Sequence, residues 1–162
     1  EVIQKIGNKP KVCTLQDVIL ELKEKRINVG FTNGCFDLLH QGHIDYLKKS
    51  KNKCDFLILG LNSDTSIKKI KGSGRPILNQ NERSQILSSF DFIDRIIIFN
   101  EVTPIKLIKK IKPKYIFKGD DYTEEQVIGN KEIKEWAGKV ILIKCVEGKS
   151  TSKIIERIKN GS

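Results

Sequence analysis

The sequence predicts an α/β fold, a doubly wound sheet of five parallel strands with helices on both faces. Three observations lead there. Five short apolar runs alternate with segments of helical period. Each run is a continuous Val/Ile/Leu stretch rather than an apolar–polar alternation, as strands covered on both faces require. The residues able to do chemistry fall just after the runs, where ligands bind in a parallel sheet. Together these describe a Rossmann-like architecture. At 162 residues the chain is long enough for one core. Residues 1–162 are read as a single domain in which 1–26 form an N-terminal extension and helix.

The elements follow in order. "TLQDVILELKEK" has Thr14 and Asp17 at capping-box spacing before an apolar helical stripe. "INVGFTNG" is a first strand closed by Asn-Gly, and "HIDYLKKSKN" a helix with Ile44 and Leu47 inward. "DFLILGLNSD" is a second strand. "SIKKIKGSGRPI" reads as a basic connection punctuated by glycine, and "NQNERSQILSSF" as a helix capped by Asn79. "DRIIIFN" is a third strand, followed by the helix "TPIKLIKKIK" with Thr103 as cap and Pro104 at its first position. "KYIFKGDDY" is a fourth strand, "GNKEIKEWAG" a short helix, "KVILIKCV" a fifth strand and "STSKIIERIK" a closing helix.

Composition limits the function classes. The formal net charge is +10, and all but five of the 30 basic residues are lysine. Scattered lysine reads as a solvated surface, whereas a nucleic-acid footprint clusters and uses arginine. Aromatics are few and not interleaved with basic residues, so a non-catalytic nucleic-acid-binding module is the weaker rival. The positive field favours small anionic ligands such as phosphates. No run approaches 18 apolar residues and no basic-then-apolar leader is present, so a soluble, cytoplasmic protein without a membrane partner is expected. Cys13, Cys35, Cys54 and Cys145 lack zinc-site spacing and are expected to be reduced and mostly buried. The chain starts at Glu1 and has no methionine, which suggests a processed product or part of a longer protein.

The chemistry concentrates in "TNGCFDLLHQGH", Thr32 to His43, which holds both histidines of the chain. Asn33 and Gly34 permit a sharp turn that brings backbone N–H groups close to a ligand. His40 and His43 are three apart and share a helix face. Gly42 between them removes a side chain and would admit a phosphate close to the backbone. Helix starts favour anions. The pair therefore reads as two donors to a phosphate chain, with capping or packing as the alternative. A metal reading lacks a third ligand nearby, and H-E-x-x-H is absent.

The segment "GCFDLLHQGH" resembles the H-x-G-H signature of the cytidylyltransferase-like nucleotidyltransferases. "GLNSD", "KGSGRPI", "NERSQIL", "FKGDDYTEEQVIG" and "EGKSTSKII" extend the likeness. Together they resemble the D-glycero-β-D-manno-heptose 1-phosphate adenylyltransferase domain of bacterial ADP-heptose synthesis, from Leu15 to Ile158. The resemblance implies transfer of AMP from ATP to a sugar 1-phosphate, with Mg²⁺ carried by the nucleotide and no protein metal site. It also implies a homodimer or higher homo-oligomer, and a sugar kinase domain or partner enzyme. The runner-up is a cytidylyltransferase acting on glycerol 3-phosphate or a similar alcohol phosphate.

Carried onto this chain, the resemblance makes His40, His43 and Lys71 the catalytic set. Thr32, Asn33, Gly34, Cys35, Phe36 and Gly42 would meet the nucleotide from the first strand and its loop. Lys71 would meet the triphosphate and Lys69 the sugar phosphate, unless both are surface lysines. Arg83, one of few arginines, is weighted as a phosphate contact, with a helix-surface ion pair as the alternative. Lys118, Gly119, Asp120 and Asp121 would border base and ribose; the family more often has glycine where Asp120 stands. Gly148, Ser150, Thr151 and Ser152 form a phosphate-binding helix start, one hydroxyl of which a plain N-cap explains. Asp37 and Asp64 would contact substrate or metal, or serve as turn and cap carboxylates.

Overall fold

The computed structural model describes residues 9–161, so residues 1–8 of the expected N-terminal extension lie outside the described residues. Five parallel strands lie in the order β3-β2-β1-β4-β5: β1 Val29–Gly34, β2 Phe56–Asn62, β3 Arg95–Phe99, β4 Tyr115–Gly119 and β5 Lys139–Ile143. β1 is central. The connections leave it for β2 on one side and return to β4 on the other. That reversal opens a crevice at the C-terminal ends of β1 and β4.

The helices are α1 Leu15–Leu22, α2 Gln41–Lys51, α3 Asp64–Lys71, α4 Gln80–Ser88, α5 Ile105–Ile111 and α6 Thr151–Asn160. The strand pleat sorts side chains between two layers. Phe31, Phe56 and Ile58 pack with Val18 of α1 and Leu107, Ile108 and Ile111 of α5. Leu59 and Leu61 pack on the opposite face with Leu47 of α2 and Leu87 of α4. Each such fully buried Leu or Ile contributes about 1.5–3 kcal/mol. Both faces of β2 are buried along its whole length, which is why its sequence shows no alternation.

Local signals account for most helix starts. Thr14 and Asp17 form the expected capping box, as do Asn79 and Glu82. Three expectations are corrected. The basic connection is half helix: Ser63 caps α3 by accepting from Ser66 N–H, and Gly72 ends it in a left-handed conformation (φ 91°). Thr103 does not cap α5; Pro104 takes the N-cap place, and Thr103 stands one residue too far out. The expected short helix is a 3-10 turn over Glu132–Trp136. An unforeseen bridge pairs Val12 with Ile96, so residues 11–13 cover part of the β3 edge.

Candidate functional site

A cavity of about 500 Å³ opens at the C-terminal ends of β1 and β4. Its floor is the turn after β1, where Phe36 (φ 47°) and Leu38 (φ 49°) are held left-handed. Such residues cost of order 1–3 kcal/mol each and persist only where neighbours over-determine them. The neighbours are identifiable. Arg83 Nη1 donates to Cys35 O at 2.7 Å, and Thr151 Oγ1 donates to Asp37 O at 2.8 Å. The Asp37 carboxylate is wholly buried and accepts from Ile77 N–H (2.7 Å), Leu78 N–H (3.0 Å) and Arg75 Nε (2.9 Å). These donors hold its pKa below the ordinary carboxylate range although burial opposes them. Asp37 thus clasps the 75–78 segment, and Thr151 clasps the start of α6, onto the same turn.

The two imidazoles cap α2 reciprocally. His40 is the N-cap residue, and its Nδ1 accepts from Gly42 N–H at 3.1 Å. His43 Nδ1 accepts from His40 N–H at 3.3 Å. The rings lie 3.9 Å apart between centroids. With both Nδ1 atoms accepting, each neutral ring carries its proton on Nε2. The capping and phosphate-donor readings are therefore compatible, because they use different nitrogens. Both rings line the cavity. Burial, with His40 and Lys71 adding positive charge nearby, pushes the His43 imidazolium down to about 4. Burial and then Lys149 lower His40 as well.

That neutral state predicts a pH dependence. His43 falls from its ordinary 6.5 to about 4 on folding, so the folded chain binds fewer protons than the unfolded one between those values. Its contribution to stability is full above the unfolded pKa and declines as pH falls through that window. Melting temperatures of the wild type should drop from pH 7 to pH 4.5 more steeply than those of His43→Asn. Parallel profiles would show that His43 is not held neutral.

The structure brings together most of the expected site residues. Asn33, Gly34, Cys35, Phe36, Asp37, His40, Gly42, His43, Lys71, Lys118, Gly119, Ser150, Thr151 and Ser152 all line the cavity. Gly42 has a packing role besides the expected phosphate access. A Cβ there would stand 2.9 Å from the His40 ring, so the glycine lets that ring fold back over the helix start. At Gly119 a Cβ would meet Asp121 Oδ1 at 2.5 Å and Cys145 Sγ at 2.7 Å. Ser150 caps α6 by accepting from Lys153 N–H, and Thr151 spends its proton on the clasp.

Other expected contacts do not reach the cavity. Thr32 is fully buried beneath it, its hydroxyl 2.7 Å from Tyr46 Oη. Lys69 is exposed and turned away, because residues two apart on a helix point to different sides and only Lys71 faces inward. Arg83 is 1% exposed, and four donor contacts go to Leu78 O, Cys35 O, Asn62 O and Asp64 Oδ1. It knots three segments together rather than touching a phosphate, and Asp64 is its counter-charge. Asp120 Oδ1 accepts from Cys145 N–H, tying β4 to the segment after β5, while its neighbour Asp121 lines the cavity. Gly148 is exposed, with φ 75°, and supplies the turn into α6. The cysteines are free, but none is fully buried, and Cys145 is exposed.

Sequence reasoning missed four cavity residues with readable signals. Tyr46 lies three residues after His43 on one helix face. Lys149 sits inside "EGKSTS", and Arg75 inside "KGSGRPI". Asn62 ends the second apolar run. Lys118 Nζ stands 5.2 Å over the Tyr122 ring, and burial lowers its pKa. Lys71, Arg75, Lys118 and Lys149 face only two lining carboxylates, Asp37 and Asp121, and Asp37 already accepts from Arg75 and two backbone N–H groups.

A cationic cavity at the switch point of a parallel sheet, with paired neutral imidazoles and a hydroxyl-bearing helix start, defines an α/β protein whose cavity suits anionic ligands. Residues 31–157 match the cytidylyltransferase-like family, and the chain belongs to that family of nucleotidyltransferases. It is 45% identical over 158 residues to the bifunctional protein HldE of Methylobacillus flagellatus, covering 96% of this chain and 32% of that protein. It is 48% identical over 132 residues to HldE of Geotalea uraniireducens, covering 82% and 27%. The chain thus spans about a third of the length of these curated relatives. A lipopolysaccharide core biosynthesis protein of Thermoplasma volcanium superposes with TM-score 0.61 at 28% identity, over 76% of this chain and 99% of that one. Pantoate-β-alanine ligase of Francisella tularensis shares the fold, with TM-score 0.63 at 18% identity, over 93% of this chain and 77% of that one.

Proposed function

We propose that this chain transfers AMP from ATP to heptose 1-phosphate, giving an ADP-sugar and pyrophosphate. The observation that carries the reading is the 45% identity to a bifunctional HldE over 96% of the chain. The cavity chemistry supports it. An oxygen of the sugar phosphate attacks the α-phosphorus in line, and the bond from that phosphorus to the bridging β-phosphate oxygen breaks. The attacking oxygen is already anionic, so no general base is needed. Catalysis is positioning plus stabilisation of charge on the α-phosphate and the leaving group. His40 and His43 donate from Nε2, Lys71 adds charge, and the start of α6 with Ser152 holds phosphate oxygens. Asn33, Gly34, Cys35, Phe36, Lys118 and Gly119 frame the rest of the nucleotide.

Mg²⁺ is expected to travel on the triphosphate. Among the described residues no three His, Cys, Asp or Glu side chains converge as a metal cage. Asp37 is saturated and Asp64 is paired with Arg83. Both carboxylates are thus committed to donors of the chain itself. Among the described residues no helix is long and apolar enough to cross a membrane. A cytoplasmic location, a single-domain nucleotidyltransferase spanning residues 1–162, self-association and a companion sugar kinase complete the proposal.

The test is a matrix of ATP and CTP against heptose 1-phosphate, other sugar 1-phosphates and glycerol 3-phosphate, read by pyrophosphate release. ATP with heptose 1-phosphate is expected to give the highest kcat/KM. Preference for CTP with glycerol 3-phosphate would move the chain to the cytidylyltransferase reading, which the HldE relatives do not favour.

A further inference from the structure

Arg75 combines three features. Its side chain is 14% exposed and lines the cavity, and its Nη2 is buried without a hydrogen-bond partner. Its Nε is fixed on Asp37 Oδ2 at 2.9 Å. Asp37 cannot take the remaining donor readily, because Oδ2 also accepts from Ile77 N–H and Oδ1 accepts from Leu78 N–H. Nε and Nη2 share one edge of the guanidinium, so that edge faces Asp37, and Nη1 on the far edge makes no hydrogen bond among the described residues. An anchored guanidinium with its far edge uncommitted, in a side chain that lines the cavity, suits an acceptor that arrives with the ligand.

Its place in the cavity says which part of the ligand. Arg75 and Ser152 also border a second groove that runs along α6 through Ile155 and Glu156. Arg75 therefore stands beside the first turn of α6, and Thr151 ties that turn to Asp37, the residue that anchors Arg75. α6 has ten residues, and its unpaired N–H groups and dipole favour negative charge at that end. An arginine there adds a planar, permanently charged fork suited to phosphate oxygens.

We infer that Arg75 binds the terminal phosphates of the nucleotide and holds the pyrophosphate as it departs. This rests on the nucleotidyl-transfer reading above. Charge grows on the leaving group as the α–β bridge breaks, and a pre-aimed guanidinium meets it without reorganisation. Asp37 is then a positioning residue, since it aims the fork and touches no substrate.

The experiment measures binding of inorganic pyrophosphate by calorimetry to the full chain and to its Arg75→Ala and Arg75→Lys variants. Charge-assisted hydrogen bonds of this kind correspond to a loss of about 10- to 100-fold in affinity. Both variants are expected to show it, because a lysine nitrogen that stays on Asp37 has no second arm for phosphate. In turnover, kcat should fall while KM for the sugar 1-phosphate stays within about twofold. Unchanged pyrophosphate affinity in a folded variant overturns the inference. So does a loss confined to KM for the sugar phosphate, which would place Arg75 on the acceptor side. If Arg75→Ala unfolds because Asp37 loses its counter-charge, Arg75→Lys keeps that ion pair and decides alone. The binding arm needs no sugar, so weakened pyrophosphate binding without turnover on heptose 1-phosphate would sink the proposed substrate and leave this inference standing.

Discussion

Replacing His40 or His43 by alanine should lower kcat by about 10²–10³-fold, the usual loss for one preorganised donor at a centre where charge develops. KM should change much less, because the interaction strengthens in the transition state. Stability should fall too, since each ring is half of the capping box of α2. Losing a cap costs about 0.5–2 kcal/mol, a few degrees in Tm for a chain of this size. Asparagine separates the two roles. Its Oδ1 can cap as the imidazole Nδ1 does, but its amide cannot also reach where Nε2 stands. His40→Asn should therefore melt near the wild type and remain catalytically impaired. Alanine variants that fold cooperatively and keep near-normal kcat would show that the pair only caps the helix.

Arg83→Met should destabilise the chain by about 3–5 kcal/mol, since each stranded buried or half-buried acceptor costs about 1–3 kcal/mol. The substitution strands Cys35 O, Asn62 O and Leu78 O, and leaves Asp64 without its cation. It also releases the strained turn at Phe36 and Leu38, so activity should fall even in the fraction that folds. Lysine should not rescue it, because one nitrogen cannot satisfy four acceptors in different directions. Urea unfolding followed by fluorescence measures the loss. A change below about 1 kcal/mol would mean that the knot is redundant and that Arg83 has another task.

The fold was legible because burial on both faces leaves a mark that no surface pattern imitates. The runs at Phe56–Asn62 and Arg95–Phe99 stand out for that reason. α3 was not legible, since its only buried members are Ser66 and Ile67 and its last turn is lysine before glycine. Site residues on rigid elements were found; those whose role depends on direction were not. Lys69 and Lys71 look alike until a helix sets them on different sides. Asp120 and Asp121 are neighbours, and only the path of the backbone after β4 decides which one turns inward. Arg83 stood out as a rare arginine, but a sequence does not say whether its acceptors are carbonyls of the chain or oxygens of a ligand. Arg75 was quoted within a motif, and its uncommitted edge becomes visible only once Asp37 is seen to hold the other.

The clasp between Thr151 and the turn at Asp37 joins residues 114 positions apart. All five strands are complete by Ile143, before α6 begins. During synthesis the sheet can therefore assemble while the segment bearing Thr151 is still within the ribosome, and the phosphate cradle closes only when that segment emerges. Contacts of such long sequence separation are the slow ones to form. Until they do, the turn at Phe36 and Leu38 lacks one of its restraints. On the proposed function, nucleotide affinity would be acquired late by the nascent polypeptide, and tight binding of ATP would mark a chain whose last helix has docked.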